Sequence, residues 1–228
     1  MKPKIVVHNS VSLNGSLVNF LPKMPLHYTI AGNHHPQAHL VGSNSVKVGI
    51  QIFENTVPPE KEEDFIKPTR EGSLVYWVIP DTEAALKGLL HVCRRFEYCK
   101  DIIVLISEET PKTYIEYLKE RNYDFFVAGK SKVDFKQAFE WLSSKYGVDM
   151  VVTDAGRILT NLLLKQNLVD EVSILVHPLI VAEPYRMFDG IGKSVNLKLK
   201  KAETMEDNYV WLVYAVEKQP VSQAPLKY

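Results

Sequence analysis

Three short segments combine residue types that can bind a charged ligand. Val41-Gly42-Ser43-Asn44-Ser45 and Thr153-Asp154-Ala155-Gly156-Arg157-Ile158 each leave a β-like run, pass a glycine and open a helix. At such a junction free backbone N–H groups point outward toward anions, and glycine admits close approach of a ligand. Ser43 or Ser45 can cap its helix while the hydroxyl faces a phosphate, and Arg157 carries a guanidinium suited to phosphate. Either turn alone reads equally well as a plain connection, but two of them suggest a site for an extended diphosphate. The third segment, Ser10-Val11-Ser12-Leu13-Asn14-Gly15, follows the first β-run. Its Asn-Gly marks a turn, either a simple hairpin or the start of a mobile loop.

The histidines carry a weaker signal. His34, His35 and His39 cluster, but Pro36 breaks any helical register and no cysteine or paired carboxylate completes a metal shell, so no metal is expected. His8 and His177 lie inside apolar runs, where a core histidine is the common outcome. His8 also faces the same strand end as Asn14. The sequence holds no Gly-x-Ser-x-Gly elbow and no Gly-x-x-x-x-Gly-Lys-Ser/Thr loop, which weakens hydrolase and nucleotide-kinase readings.

The chain that must position these residues has 228 residues, 46% of them hydrophobic and 24% charged. That length fits one domain or at most two small ones, and the composition is that of a globular protein with a sizeable core. The 27 basic side chains balance 27 acidic ones, so there is no net pull toward nucleic acid or an anionic bilayer. Apolar runs such as Val172 to Val181 are broken by His177 and Pro178 and fall short of the ~20 residues that span a membrane. Met1-Lys2-Pro3-Lys4 leads into a β-run without an apolar leader core, so a cytoplasmic protein is expected. Cys93 and Cys99 are too few for a disulfide framework or a zinc site, and Cys93 falls in phase with Leu86, Leu89 and Leu90 as core.

Short β-branched runs alternate with segments of helical period, the pattern of a mainly parallel α/β sheet with helices on both faces. The runs predict strands at Lys4–His8, Ala38–Val41, Ser73–Ile79, Asp101–Ile106, Asp124–Ala128, Met150–Thr153, Val172–His177, Val195–Ala202 and Tyr209–Glu217. Helices are predicted at Ser45–Phe53, Glu83–Phe96 and Ile158–Gln166, after a Thr110 cap with Pro111 in first position, and after a capping-box-like Asp134. The last two strands, joined near Glu206-Asp207-Asn208, should form an antiparallel pair at one sheet edge. The Pro58–Asp64 stretch reads as a solvated connection or a flap over a site. Residues 1–218 are expected to form one domain, with 219–228 a loose tail.

Taken in order, Ser12-Leu13-Asn14-Gly15, Val41-Gly42-Ser43-Asn44-Ser45-Val46, Thr153-Asp154-Ala155-Gly156, Leu162-Leu163-Leu164 and Leu168-Val169-Asp170-Glu171-Val172 resemble the reductase domain of riboflavin biosynthesis. The likeness runs from about Lys4 to Val216, and its most specific part is the last, where the family shows Val-Glu-Gly-Gly, a short helix and Leu-Val-Asp-Glu at the same spacing. The resemblance implies a dihydrofolate-reductase-like fold, NADPH as coenzyme and a homodimer. It implies that Asp154, Ala155, Gly156, Arg157 and Ile158 cradle the diphosphate, with Gly42, Ser43 and Ser45 at the second phosphate-binding helix start. Asp81 would lie beside the adenosine half; Ser12, Asn14 and Gly15 would border the nicotinamide and substrate. Asn14 or His8 would hold the substrate or a proton-donating water, and Lys47 or Arg157 would meet the 2′-phosphate.

Departures from the family pattern cluster on the substrate side. Asn14 replaces the usual aspartate, Asp154-Ala155 replaces Glu-Gly, His8 stands where many members carry lysine, and Gly49-Ile50-Gln51 replaces an Asp-Asp-Pro run. Pro178 is retained, while the customary Gly-Gly near Ala182-Glu183 is missing. The implied activity is reduction of the ribosylamino group of a phosphorylated pyrimidine to ribitylamino, by hydride transfer to the open imine form. A reductase of a pteridine or another imine or carbonyl compound, and a catalytically silent nucleotide-binding module, stay open as alternatives.

Overall fold

The computed structural model describes residues 2–54, 56–70 and 72–218; the expected tail, 219–228, lies outside them. Among these residues nine strands form one sheet: β1 (Lys4–Ser12), β2 (Ala38–Leu40), β3 (Val75–Pro80), β4 (Cys99–Ile106), β5 (Asp124–Val127), β6 (Met150–Thr153), β7 (Glu171–His177), β8 (Leu197–Thr204) and β9 (Val210–Val216). Their order is β5-β4-β3-β2-β6-β1-β7-β9-β8. Pairings from β5 to β7 are parallel, and among the described strands only β9 runs against the rest, which gives the expected antiparallel pair at one edge.

Among the described residues six α-helices cover the sheet: α1 (Met24–Gly32), α2 (Ser43–Phe53), α3 (Leu90–Arg95), α4 (Lys112–Glu120), α5 (Phe135–Tyr146) and α6 (Arg157–Lys165). Strand parity assigns them to faces. Ile103 and Leu105 of β4 pack in one cluster with Phe135, Phe139 and Leu142 of α5 and Leu163 of α6. Ile102, Val104 and Ile106 point the other way, into a cluster with Val46 and Ile50 of α2, Leu90 of α3 and Tyr114 of α4. Further along that second face, α1 lays Ile30 and Ala31 over Leu175, Trp211, Val6 and Val152. Helices therefore lie on both faces.

Three local expectations are corrected. The first strand does not stop at His8, because Val6 to Ser12 continue in register with Glu171 to His177. The helix expected over Glu83–Phe96 shrinks to α3: Ala84 and Gly88 hold positive φ, and turns occupy the residues before Leu90. Thr110 does not cap α4, since its hydroxyl accepts the Ser107 N–H at 3.0 Å and Pro111 takes the capping position. Asp134 does cap α5, accepting the Gln137 N–H at 3.1 Å.

The acidic stretch is a solvated connection, with Pro59 and Lys61–Glu63 exposed, but two of its carboxylates are anchored. Glu60 is gripped by the Arg121 guanidinium at 2.8–3.0 Å and by the Tyr117 hydroxyl at 2.9 Å. Asp64 takes Arg95 at 2.8 Å, and Arg94 donates to the Asp64 carbonyl at 2.7 Å. These arginines come just before β4 and β5 begin, so the stretch straps the edge where strands start, opposite the strand ends.

Candidate functional site

In an open α/β sheet, ligands bind beyond the carboxyl ends of strands where neighbouring connections leave on opposite faces. That condition is met between β2 and β6. They pair in parallel with Leu40 opposite Thr153, yet α2 leaves β2 for one face and α6 leaves β6 for the other. Gly42 and Gly156, the residues capping these two helices, therefore sit at adjacent strand ends on one edge.

Among the described residues, no side chain closes either helix start. Gly42 and Gly156 provide no side-chain cap, and the first turns of α2 and α6 hold no acidic residue. Outward N–H groups at a helix start that lack a side-chain acceptor are ready to bind an anion. Both glycines have ordinary φ, −68° and −64°, so the backbone itself does not demand glycine. A Cβ on Gly156 would meet nothing within 4 Å, and one on Gly42 only Ser45 Oγ at 3.8 Å. Both turns are therefore free of close side-chain cover at their glycines.

The turn after β6 is held rigidly from behind. Thr153 Oγ1 donates to the Leu40 carbonyl at 2.7 Å and accepts the Ala155 N–H at 3.2 Å, tying the two strand ends together. The Ala155 carbonyl accepts from Asn9 Nδ2 at 3.2 Å and Thr160 Oγ1 at 2.9 Å. Arg157 lies with its guanidinium 3.7 Å from the centre of the Tyr185 ring and 4.0 Å from Asp189, while Ile158 is 80% exposed beside it.

Beyond β1 the chain turns on itself. The Ser12 N–H donates to the Ser16 carbonyl at 3.0 Å, and Gly15 turns with φ +81°. Asn14 reads the backbone of Val181 at two points: Nδ2 donates to its carbonyl at 2.8 Å and Oδ1 accepts its N–H at 3.1 Å. The loop after β1 is thereby latched to the loop after β7. An aspartate in this place would lack the N–H that meets the Val181 carbonyl.

On the α1 side of the sheet, Asp154 turns away from the helix start and toward imidazoles. His39 Nε2 stands 2.9 Å from Oδ1, off the axis of a linear hydrogen bond, and His27 Nε2 stands 3.8 Å from Oδ2. His27 is itself anchored by a contact between Nδ1 and Ser10 Oγ at 3.1 Å. Burial alone would raise the Asp154 pKa, but the charge of His39 and contacts with His27 and His39 hold it well below the usual carboxylate range. For His39, burial alone would lower the pKa; the Asp154 carboxylate outweighs it and carries the imidazole above its ordinary value.

The family model of the RibD C-terminal domain matches residues 29–211. The chain belongs to that family. No curated protein sequence matches it. In three dimensions this RibD C-terminal domain is similar to a pyrimidine reductase-like protein from Corynebacterium diphtheriae, with TM-score 0.69 and 15% identity over 95% of this chain and 93% of that one. It is also similar to the riboflavin biosynthesis reductase Rib7 of Saccharomyces cerevisiae, with TM-score 0.63 and 18% identity over 95% and 90%. A third relative in structure is Acinetobacter baumannii RibD, with TM-score 0.65 and 16% identity; the match covers 95% of this chain and 58% of that longer one. At these identities the likeness concerns the fold.

Within this RibD C-terminal domain the residues singled out from sequence divide into three groups. Gly42, Ser43, Ser45, Ala155, Gly156, Arg157 and Ile158 gather at the shared edge, and Ser43 and Ser45 leave the capping position to Gly42. Asn14 and Gly15 border the same edge as the latch. The third group is turned inward. His8 is fully buried, with Nδ1 3.0 Å from Ser173 Oγ and Nε2 3.2 Å from the His27 carbonyl; burial, with His27 and His34 nearby, pushes its pKa down to about 3. α1 covers it, so it has no route to a substrate. The buried Ser12 hydroxyl is occupied by Asn14 Oδ1 at 2.7 Å and the Ser16 N–H at 2.9 Å. Asp81 is likewise engaged, accepting the Ala85 and Leu86 N–H groups at 2.9 and 3.0 Å and the Tyr114 hydroxyl at 2.7 Å. It shapes the turn before α3.

Asn9, His27, His39, Thr153 and Tyr185 were not singled out as site residues by sequence. Only strand parity offered a hint: Asn9 is a polar residue among buried ones, and His39 alternates with the buried Ala38 and Leu40.

Proposed function

We propose that this domain is a nicotinamide-dependent reductase that uses NADPH to convert the ribosylamino group of a phosphorylated aminopyrimidine to ribitylamino. The observation that carries the reading is the pair of uncapped, acid-free helix starts at the β2/β6 switch point. Their first-turn N–H groups would hold the diphosphate, with the Ser43 and Ser45 hydroxyls beside them and Arg157 or the exposed Lys47 at the 2′-phosphate. The coenzyme supplies a hydride; the protein's contribution is alignment of two bound reactants. Asn14 and Gly15 shape the mouth on the substrate side by fixing the loop at Val181. The family, and the reductase names of the Corynebacterium and Saccharomyces structures, support the same reading.

The same reading includes a homodimer in the cytoplasm. β8 is a long, exposed edge strand whose Leu197 and Leu199 face solvent, the kind of edge that a second copy protects. Sedimentation at micromolar concentration should give twice the chain mass.

NADPH oxidation followed with purified protein and the phosphorylated ribosylaminopyrimidine tests the activity. Turnover with that compound is expected. Oxidation only with a pteridine or another imine or carbonyl compound would replace the substrate, and tight binding without oxidation would replace the enzyme with a nucleotide-binding module.

A further inference from the structure

We propose that His39, oriented by Asp154, is the proton donor that complements the hydride; the idea rests on the reductase reading above. Both side chains are partly exposed on the face of the sheet that carries α1 and α2, with 13% of the His39 side chain and 20% of the Asp154 side chain open. Asp154 directly precedes Ala155 and Gly156, so the pair adjoins the turn assigned to the diphosphate. His39 Nε2 is buried against the carboxylate, whereas Nδ1 has no partner among the described residues and belongs to the exposed part of the ring. That leaves one nitrogen facing a positioning group and the other free to meet a ligand.

The neighbouring titratable groups do not compete for the role. From β1, His8 is buried and neutral, with both ring nitrogens engaged. From α1, His27 is tied to Ser10, and burial together with the Asp154 charge pushes Tyr28 up to about 12, leaving it a neutral phenol. Just after α1, burial lowers the pKa of His34, as it does for His177 at the end of β7. Trp77 of β3, whose ring centre is 6.3 Å from that of His39, closes the remaining side without a charge.

The step balances. Hydride from the dihydronicotinamide forms a C–H bond at the carbon of a C=N group, whose π pair moves onto nitrogen. That nitrogen forms an N–H bond with the proton of His39 Nδ1, the imidazolium N–H breaks, and neutral His39 regains a proton from solvent. Substrate, one reduced coenzyme and one proton give amine and oxidised coenzyme. Asp154 stays a carboxylate throughout and acts as a positioning residue.

The test pairs His39→Gln with Asp154→Asn and reads two signals. In NMR titration of the histidine Cε1–H groups without substrate, one resonance should titrate above the ordinary 6.5, vanish in His39→Gln and titrate lower in Asp154→Asn. In the pH profile of kcat/KM, the wild-type alkaline limb should follow that titration. His39→Gln should lose on the order of 100-fold and flatten the limb, as removal of a general acid does, while Asp154→Asn should move the limb to lower pH. NADPH binding, read by tryptophan fluorescence, should change less than about twofold in His39→Gln, against the tenfold that 1.4 kcal/mol of lost contact would give. Wild-type activity with an unshifted limb in His39→Gln overturns this proposal alone. Wild-type protein that oxidises NADPH with no imine or carbonyl compound overturns the reductase reading together with it.

Discussion

The strap at Pro58–Arg70 and the switch-point edge lie at opposite ends of the same sheet, and they use polar groups in opposite ways. At the strap, buried charge is answered from within the protein. Arg94 pairs with Asp101 at 2.9 Å and donates to the carbonyls of Asp64, Arg121 and Asn122, and Arg70 donates to those of Arg94, Phe96 and Cys99. At the switch point, among the described residues, two helix starts have no side-chain cap, no hydrogen bond engages the Ser43 and Ser45 hydroxyls, and His39 keeps one ring nitrogen without a partner. Polar groups satisfied internally hold the fold, and groups left with unused capacity at a shared edge await a ligand.

This contrast can be broken by mutation at either end. The largest effect is expected at the strap. Arg94→Ala leaves Asp101 buried without its cation and strands three carbonyls, so urea denaturation should show a loss of about 3–5 kcal/mol with NADPH affinity unchanged. Gly156→Leu should do the reverse. Its φ suits any residue and its Cβ meets nothing in the protein, so stability should hold while the Kd for NADPH rises on the order of 100-fold, about 2.7 kcal/mol. If instead the Gly156 variant unfolds and the Arg94 variant loses only coenzyme, the division of labour is wrong.

Acid sharpens the same comparison. His8 has a folded pKa of about 3 against an ordinary 6.5, so between those values the unfolded chain binds a proton that the folded chain refuses. Stability from this group is complete above pH 6.5 and falls as pH drops toward 3, by about 1.4 kcal/mol per pH unit. Denaturation midpoints of the wild type and His8→Asn across that range should converge as the solution is acidified. The smallest effect is expected for Asn14→Asp, which removes one donor and sets a carboxylate against the Val181 carbonyl. A cost of about 1 kcal/mol in stability and faster proteolysis in the 178–187 loop should follow.

Much of the scaffold was legible in the sequence because β-branched runs are buried on both faces and read without ambiguity. The glycine turns at Gly42 and Gly156 were legible for the same reason, since a strand, a glycine and a helix start announce themselves locally. α1 was not. Met24–Gly32 carries Pro25 at its start, β-branched Thr29 and Ile30, no acidic residue in its first turn and no side-chain cap, and it buries only His27, Ile30 and Ala31. No apolar stripe marks it. With that helix unmarked, the sequence did not show which of the two readings of His8, core or substrate-facing, applies; α1 lies against it and it is fully buried. The Asp154–His39 contact was invisible for a different reason. The residues stand 115 positions apart and meet only because β2 and β6, far apart in the chain, become neighbours in the sheet.

A crystal structure of the protein with NADPH tests the central claim most directly. The diphosphate should lie across the β2/β6 edge, with its oxygens within 3.2 Å of main-chain N–H groups in the first turns of both α2 and α6. A coenzyme bound at any other edge, or touching one of these helix starts without the other, contradicts the account.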